Sequence, residues 1–412
     1  MRSCRVTAAA VVSLCAVVLA AGCSHGSSSS KPSSPAASSG TGPNPIVVGL
    51  INTEDAPVGS FPDLRRGVIA AERYVNDRFG GVGGRPIEIV PCATDGTPES
   101  SQGCANTLLN RHVVAVIGGV DLGAASSLPP LQVAGVPYVG GTPAATEALT
   151  SSGSFMFTGG TATEVLGEVS YAAKTLHVTR LSAVYVDVPG LLSTAVGLLS
   201  SIAHKLGVTQ FKTVPVQPDT PDIAPALAAA ASIHPQAILA VFPGQTCTRV
   251  IEGVAALGGG ARMMYPSLCA GQQALAAAGS AGDGSVIASG YRPYTDTGDK
   301  DVAVYLSALH RYDRTLEPSL LSQAGFSVVM NLRQVMSEVT GTLTPKSLSA
   351  ALFATHDHAN FMSAPFTCDG KQIPMLRSLC NASTQISVIH GGKLEPVGGP
   401  IDTAPLATLA VP

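Results

Sequence analysis

The chain has 412 residues, 45% of them hydrophobic and 12% charged, with no tryptophan and a formal net charge of −3. This is enough apolar material to build folded cores, and a chain this long ordinarily divides into more than one of them. A near-neutral balance without any Lys/Arg cluster excludes a charge-built nucleic-acid surface.

The chain opens on Arg2 and Arg5, followed by an apolar run from Val6 to Ala21. At about 16 residues the run falls short of the roughly 20 that a spanning helix needs, so residues 1–22 read as a cleavable export signal. The stretch Leu19-Ala20-Ala21-Gly22-Cys23 resembles the bacterial lipobox. That resemblance implies cleavage before Cys23, a diacylglyceryl thioether on its sulfur, and an extracytoplasmic protein that touches the membrane only through this lipid. Loss of residues 1–22 removes two arginines and no acids, turning 24 basic and 27 acidic residues into 22 and 27, a mature charge of −5. Residues 23–45, almost wholly Ser, Gly, Pro, Ala and Thr after the cysteine, carry too little apolar surface to offset the entropy of ordering them. They form a tether with a root-mean-square span of roughly 25 Å.

From Ile46 short β-branched runs alternate with amphipathic stretches. The expected order is strand Ile46–Ile51, helix Leu64–Arg78, strand Ile87–Pro91, helix Ser101–Asn110, strand Val113–Ile117, helix Ala124–Ala134 and strand Pro137–Val139. The rhythm restarts with helix Val165–Leu176, strand Leu181–Val186, helix Leu192–Leu206, strand Phe211–Pro215, helix Ile223–Ser232, strand Ala237–Phe242, helix Thr248–Leu257 and strand Met263–Tyr265. Such repetition requires right-handed crossovers and parallel sheets covered on both faces, so two doubly wound α/β lobes are expected. The cluster Gly80–Gly84 follows a helix and precedes a strand, the reverse of a phosphate-cradling loop, and reads as a helix end.

Outside the leader and the lipobox Cys23 six cysteines remain, an even number that suits disulfides in an exported protein. Their order gives three local couples 12, 22 and 12 residues apart, Cys92–Cys104, Cys247–Cys269 and Cys368–Cys380. Zinc is the competing use, but neither Cys-x-x-Cys nor a close Cys/His set occurs.

Four motifs follow one another over residues 75–150: Val75-Asn76-Asp77 with Gly80-Gly81-Val82-Gly83-Gly84-Arg85-Pro86-Ile87, then Ala115-Val116-Ile117-Gly118-Gly119, then Gly135-Val136-Pro137-Tyr138-Val139, then Pro143-Ala144-Ala145-Thr146 before Leu149-Thr150. In order and spacing they resemble the type I periplasmic binding proteins, the leucine/isoleucine/valine-binding branch that serves ABC importers. The couples Cys92…Cys104 and Phe366-Thr367-Cys368-Asp369-Gly370…Cys380 resemble those of lipid-anchored members. The resemblance covers Pro45 to about Gly399 and thins in the second half. It implies two lobes joined by three crossover strands, with a ligand captured in the cleft by hinge closure. The crossovers are expected near Gly159–Glu164, Gly290–Pro293 and Met362–Phe366. The N-terminal lobe would then hold 46–163 plus 293–362, and the C-terminal lobe 164–292 plus 363–412.

The resemblance also implies where ligand is held. In the first lobe it points to Ala144 through its backbone and Thr146 through its N–H and hydroxyl; Thr146 as a helix N-cap is an equal and compatible reading. The preceding loop, Val120-Asp121-Leu122-Gly123, brings Asp121 and Gly123 to the site and departs from the family, since an acid there repels a ligand carboxylate. In the second lobe the corresponding positions are Asp187 and Leu191, Gln245, and Leu268. Where relatives have aromatics and an acid that anchors an ammonium group, this chain has none, so an aliphatic amino acid is a poor fit. Asp121, Glu54 and Asp55 are the acids the opposite lobe offers.

Catalysis finds little support. Gly-x-Ser-x-Gly is absent, Ser126 and Ser127 lie inside a helix, and His356-Asp357-His358 puts its imidazoles on different faces, as a solvated loop does. The function expected is a lipid-tethered solute-binding protein of an ABC importer, monomeric, without cofactor or metal, whose partners are a small polar ligand and a membrane permease. A sensor of the same fold is the alternative and a hydrolase the third possibility.

Overall fold

The computed structural model describes residues 44–412, apart from 57–58, 188–192, 218–219, 243–245, 258–259, 272–274, 277–278 and 410–412. The expected lipidation site, Cys23, lies outside the described residues. No helix among the described residues is long and apolar enough to cross a membrane.

The first lobe is built on β1 (Ile46–Thr53), β2 (Ile87–Thr94), β3 (Ala115–Gly118), β4 (Tyr138–Gly140) and β5 (Ser154–Met156), ordered β2-β1-β3-β4-β5. All its pairings are parallel. β1 is buried along almost its whole length, as a strand covered on both faces must be, which explains its continuous rather than alternating apolar run. The connecting helices are α1 (Pro62–Phe79), α2 (Pro98–Asn110), α3 (Ala124–Val133) and α4 (Thr146–Thr150). Proline opens α1, and Gly80 closes it at φ 64° with its N–H on the Val75 carbonyl, so the glycine cluster is a helix end. Asn76 then clamps α1 to β2, donating to the Ile87 carbonyl and accepting from the Ile87 N–H, both at 2.8 Å.

The second lobe repeats the plan with α5 (Thr161–Lys174), β6 (Arg180–Val186), α6 (Ser193–Lys205), β7 (Gln210–Val216), α7 (Ala224–Ala231), β8 (Ala237–Val241), α8 (Thr246–Leu257), β9 (Arg262–Pro266) and β10 (Val286–Ser289). Its strands run β7-β6-β8-β9-β10 in parallel, extended by antiparallel β11 (Ser383–His390) and β12 (Lys393–Pro396). A short β13 (Ile401–Asp402) also pairs with β11.

Between β10 and β11 the chain returns to the first lobe as α9 (Lys300–Tyr312), α10 (Leu320–Glu338) and α11 (Pro345–Phe353), and α12 (Ala404–Thr408) later ends the fold. α10 lies against α1 at backbone distance. A Cβ on Gly67 would stand 2.0 Å from the Ser322 carbonyl oxygen, and one on Gly325 2.2 Å from that of Leu64. Arg66 on α1 adds a 2.7 Å ion pair to Asp313, and Ser319 and Ser322 cap α10 reciprocally.

The sequence places the first passage between lobes at Gly159–Glu164; α5 already begins at Thr161, so extended chain ends at Gly160. The third, expected at Met362–Phe366, runs later. Phe366 pairs with His358, its ring packs 4.7 Å from Phe157, and Met156 exchanges hydrogen bonds with Ser378 and Cys380 at 2.7 and 2.8 Å. Residues 366–380 are thus held to the edge of the first sheet and closed by a disulfide, and the chain crosses only afterwards, into β11. All three expected couples, Cys92–Cys104, Cys247–Cys269 and Cys368–Cys380, are disulfides.

Because no side chain fits where α1 and α10 touch, Gly325→Ala is expected to cost about 1–3 kcal/mol through forced separation of the helices. Urea unfolding checks this, with an unchanged midpoint counting against so tight a crossing.

Candidate ligand-binding site

In both sheets the strand order reverses direction once, between β1 and β3 in the first and between β6 and β8 in the second. The loops beyond the carboxyl ends of these strands form crevices where α/β folds take ligands. Those after β3 and β4 in the first lobe lie wholly among the described residues.

The loop after β3 turns inward. Asp121 is 1% exposed and accepts from the Ser127 hydroxyl at 2.7 Å, the Ser101 hydroxyl at 2.8 Å, the Gly123 N–H at 3.1 Å and the Tyr138 hydroxyl at 3.3 Å. Burial raises its carboxyl above the usual range although these bonds oppose it. The carboxylate expected to face a ligand is instead a knot joining α2, α3 and β4, and Gly123 is buried with it. The other acids are also accounted for: Glu54 is paired with Arg65 at 2.8 Å, while Asp55 is exposed.

The loop after β4 reaches the passages between lobes. The Gly141 carbonyl accepts from Thr158 Oγ1 at 2.6 Å in the first passage and from the Tyr291 hydroxyl at 3.2 Å in the second. A side chain at Gly141 would meet that hydroxyl at 1.9 Å. Thr142 follows, buried, with its hydroxyl unpaired by any described protein group. Ala144 is half-buried and Thr146 exposed. Ala145, not Thr146, occupies the N-cap position of α4, and it makes no side-chain cap.

In the second lobe Asp187 is half-buried at the end of β6, its N–H on the Val216 carbonyl; its charge adds to the burial that raises the nearby Tyr185 phenol. Leu191 and Gln245 lie outside the described residues. Leu268 is half-buried in a 3-10 turn, Ser267–Cys269, which packs against α10 of the first lobe. The Cys247–Cys269 disulfide fixes one end of this turn, and Glu164 fixes the other, accepting from the Ser267 N–H at 3.1 Å.

Sequence reasoning passed over Glu164, Glu168, Thr158 and Tyr291. A signal existed: Glu164 and Glu168 stand one turn apart on a helix otherwise lined by Val165, Leu166 and Val169, so both acids enter the core. Burial pushes the Glu164 carboxyl up to about 7 against donors from Ser267 and Gly290. Glu168, fully buried with neither oxygen hydrogen-bonded, is raised well above the ordinary range by burial and by the Glu164 charge. His358 of the His-Asp-His run bonds Glu338 at 2.9 Å and stacks on Phe366.

A carboxyl raised on folding holds its proton to higher pH than the unfolded chain does. The stability Glu164 contributes is therefore complete below its ordinary value near 4.5 and is lost as pH rises through about 7. Glu164→Gln is expected to reduce the fall in stability across that window by an amount on the order of 3 kcal/mol. Urea midpoints measured through the window test it; the same fall in the variant contradicts the assignment.

Comparison with curated protein sequences finds no match. Solved structures share the fold at low identity. A fatty acid ABC transporter substrate-binding protein from Thermomonospora curvata superposes with a TM-score of 0.74 at 18% identity, covering 89% of this chain and 94% of that one. A solute-binding protein from R. palustris in complex with benzoate gives 0.72 at 19%, covering 87% and 98%, and a leucine-binding protein from Thermotoga maritima 0.71 at 17%, covering 87% and 99%. The family model described as periplasmic binding protein matches residues 45–375, and with its two parallel-sheet lobes the chain belongs to that family.

Proposed function

We propose that this protein is an extracytoplasmic solute-binding protein of an ABC importer, tethered through lipid on Cys23, that captures a small polar ligand by hinge closure and presents it to a membrane permease. The observation that carries the reading is the convergence of strand-end loops from both sheets on the passages between them. Gly141 of the first lobe is bonded to Thr158 and Tyr291, and Ser267 of the second to Glu164. In this reading one lobe holds 46–160 with 293–380 and the other 161–292 with 381–412.

The ligand end held by the first lobe is a carboxylate. Leucine, benzoate and fatty acids, which the three structural relatives are described as binding or carrying, all bear one. With Asp121 turned inward, the repulsion that argued against such a group is removed. The Ala144 backbone, Thr146 and the Thr142 hydroxyl supply donors. At the second lobe the turn Ser267-Leu268-Cys269-Ala270-Gly271 carries no charge and suits an apolar tail, whereas an ammonium group finds no acid there.

A thermal-shift screen across aliphatic and aromatic acids, amino acids, amides and polyols tests this, since a ligand at 100 times its dissociation constant adds about 2.7 kcal/mol to stability. Acids are expected to score; stabilisation by polyols alone contradicts the carboxylate. For the acid that scores, Thr146→Ala is expected to weaken binding roughly 10- to 150-fold, read by calorimetry. Cys23→Ser is expected to move the protein from the membrane to the soluble fraction, and unchanged detergent partitioning argues against the anchor.

A further inference from the structure

We propose that Glu164 is a positioning residue that ties the turn Ser267–Leu268 to the second passage at Gly290, so that turn and hinge move as one unit while the carboxylate is charged and loosen when it takes a proton. The geometry starts from one buried bond. Glu164 stands in the first turn of α5, immediately after the first passage. It accepts from the Ser267 N–H at 3.1 Å, and the Ser267 side chain and the Gly290 backbone both favour its charged form. Gly290 in turn packs against Thr158, where an added Cβ would stand 2.6 Å away, and its carbonyl accepts from the Ser363 hydroxyl. Thr158 and Tyr291 continue the chain of bonds to Gly141 in the first lobe's loop. One carboxylate thus sits where a candidate ligand contact of the second lobe meets the segments that must bend.

The grip is charge-assisted, and such bonds are roughly twice as strong as neutral ones. Its surroundings leave the charge to these donors. On the same helix Glu168 is the titratable neighbour that feels Glu164, and from the passage it is Tyr291. Arg292 is engaged by Asp296 and Asp299. Tyr185 of β6 lies in the same core layer as α5, its phenol acted on by Asp187. Lys174 at the far end of α5, His204 and Lys205 at the end of α6, Arg262 opening β9 and His390 closing β11 are exposed. Burial places the proton equilibrium of Glu164 at about 7, within reach of ordinary buffers.

The consequence for binding rests on the proposed solute capture; the tie itself does not, and amide hydrogen exchange reads it without any ligand. In the full chain, peptides spanning 264–270 and 287–292 are followed at pH 5.5 and 8.5, normalised for intrinsic exchange. Wild type is expected to exchange about 5-fold faster at the lower pH in these peptides, with β1 and β6 as unchanging references. Glu164→Gln is expected to show the faster rate at both pH values, and Glu168→Gln to keep the wild-type response. Glu164→Asp, which retains charge but withdraws it by one methylene, is expected to lose protection at pH 8.5. Protection of β1 and β6 in each variant establishes that it is folded. Equal protection at both pH values in wild type, or a response that survives in Glu164→Gln, overturns the inference while leaving solute capture standing; an empty solute screen leaves the tie standing.

Discussion

The backbone contact between α1 and α10 is the constraint on which the rest of the architecture depends. Two glycines, Gly67 and Gly325, let the helices meet with carbonyl oxygens where side chains would be, and Arg66–Asp313 and the Ser319–Ser322 cap hold the approach. A late stretch of chain is thereby bound into a lobe whose sheet was completed far earlier. Having visited the second lobe, the chain must come back, and then return once more to add β11. Three passages side by side are the topological result. Residues 360–363 of the first lobe bridge them: Asn360 donates to the Phe157 carbonyl at 3.1 Å, and Ser363 donates to the Gly290 carbonyl while accepting from Asn381 at 3.2 Å. Segments cross-linked in this way resist sliding but can bend together, as a hinge requires.

Three buried acids show how local donors decide what a carboxyl does. Asp121 has four donors from protein groups and becomes structural. Glu168 has none and is stable only as the neutral acid, since an unpaired buried charge is prohibitively costly. Glu164 lies between these limits, with enough donors to be charged and enough burial to make the charge expensive. Its position at the junction of passage and turn is what converts this balance from a local property into a mechanical one.

The alternation of strands and helices from Ile46 to Tyr265 was legible because two-sided burial writes continuous β-branched runs and glycine marks the helix ends. α10 was not, because its buried face carries Ser322, Gln323, Ser327 and Asn331, which erase the apolar period that identifies a helix. β11 reads Ser-Thr-Gln at its start yet is buried there through most of its length, for the same reason. The site was legible as loops but not as directions. Asp121 appears on an ordinary loop in sequence, and the serines that draw it inward lie 20 residues before and 6 residues after it, a pattern no spacing rule reveals.

That inward turn changes the electrostatics of the proposed capture. A carboxylate at the mouth of the first lobe's crevice would favour cations; the same group sunk beneath three hydroxyls and an N–H leaves the crevice lined by backbone donors and threonines. In the second lobe the Ser267 N–H is bonded to Glu164, so in the proposed reading Leu268 rather than a donor is what the turn offers. In that reading the two halves of the cleft differ in kind, polar donors on one side and apolar surface on the other. An amphiphilic acid satisfies both at once, with its charge on the lobe whose loop is bonded directly to the passages through Gly141. In the proposed capture the ligand's charge then lies nearest the passages, and its apolar tail meets the turn bonded to Glu164.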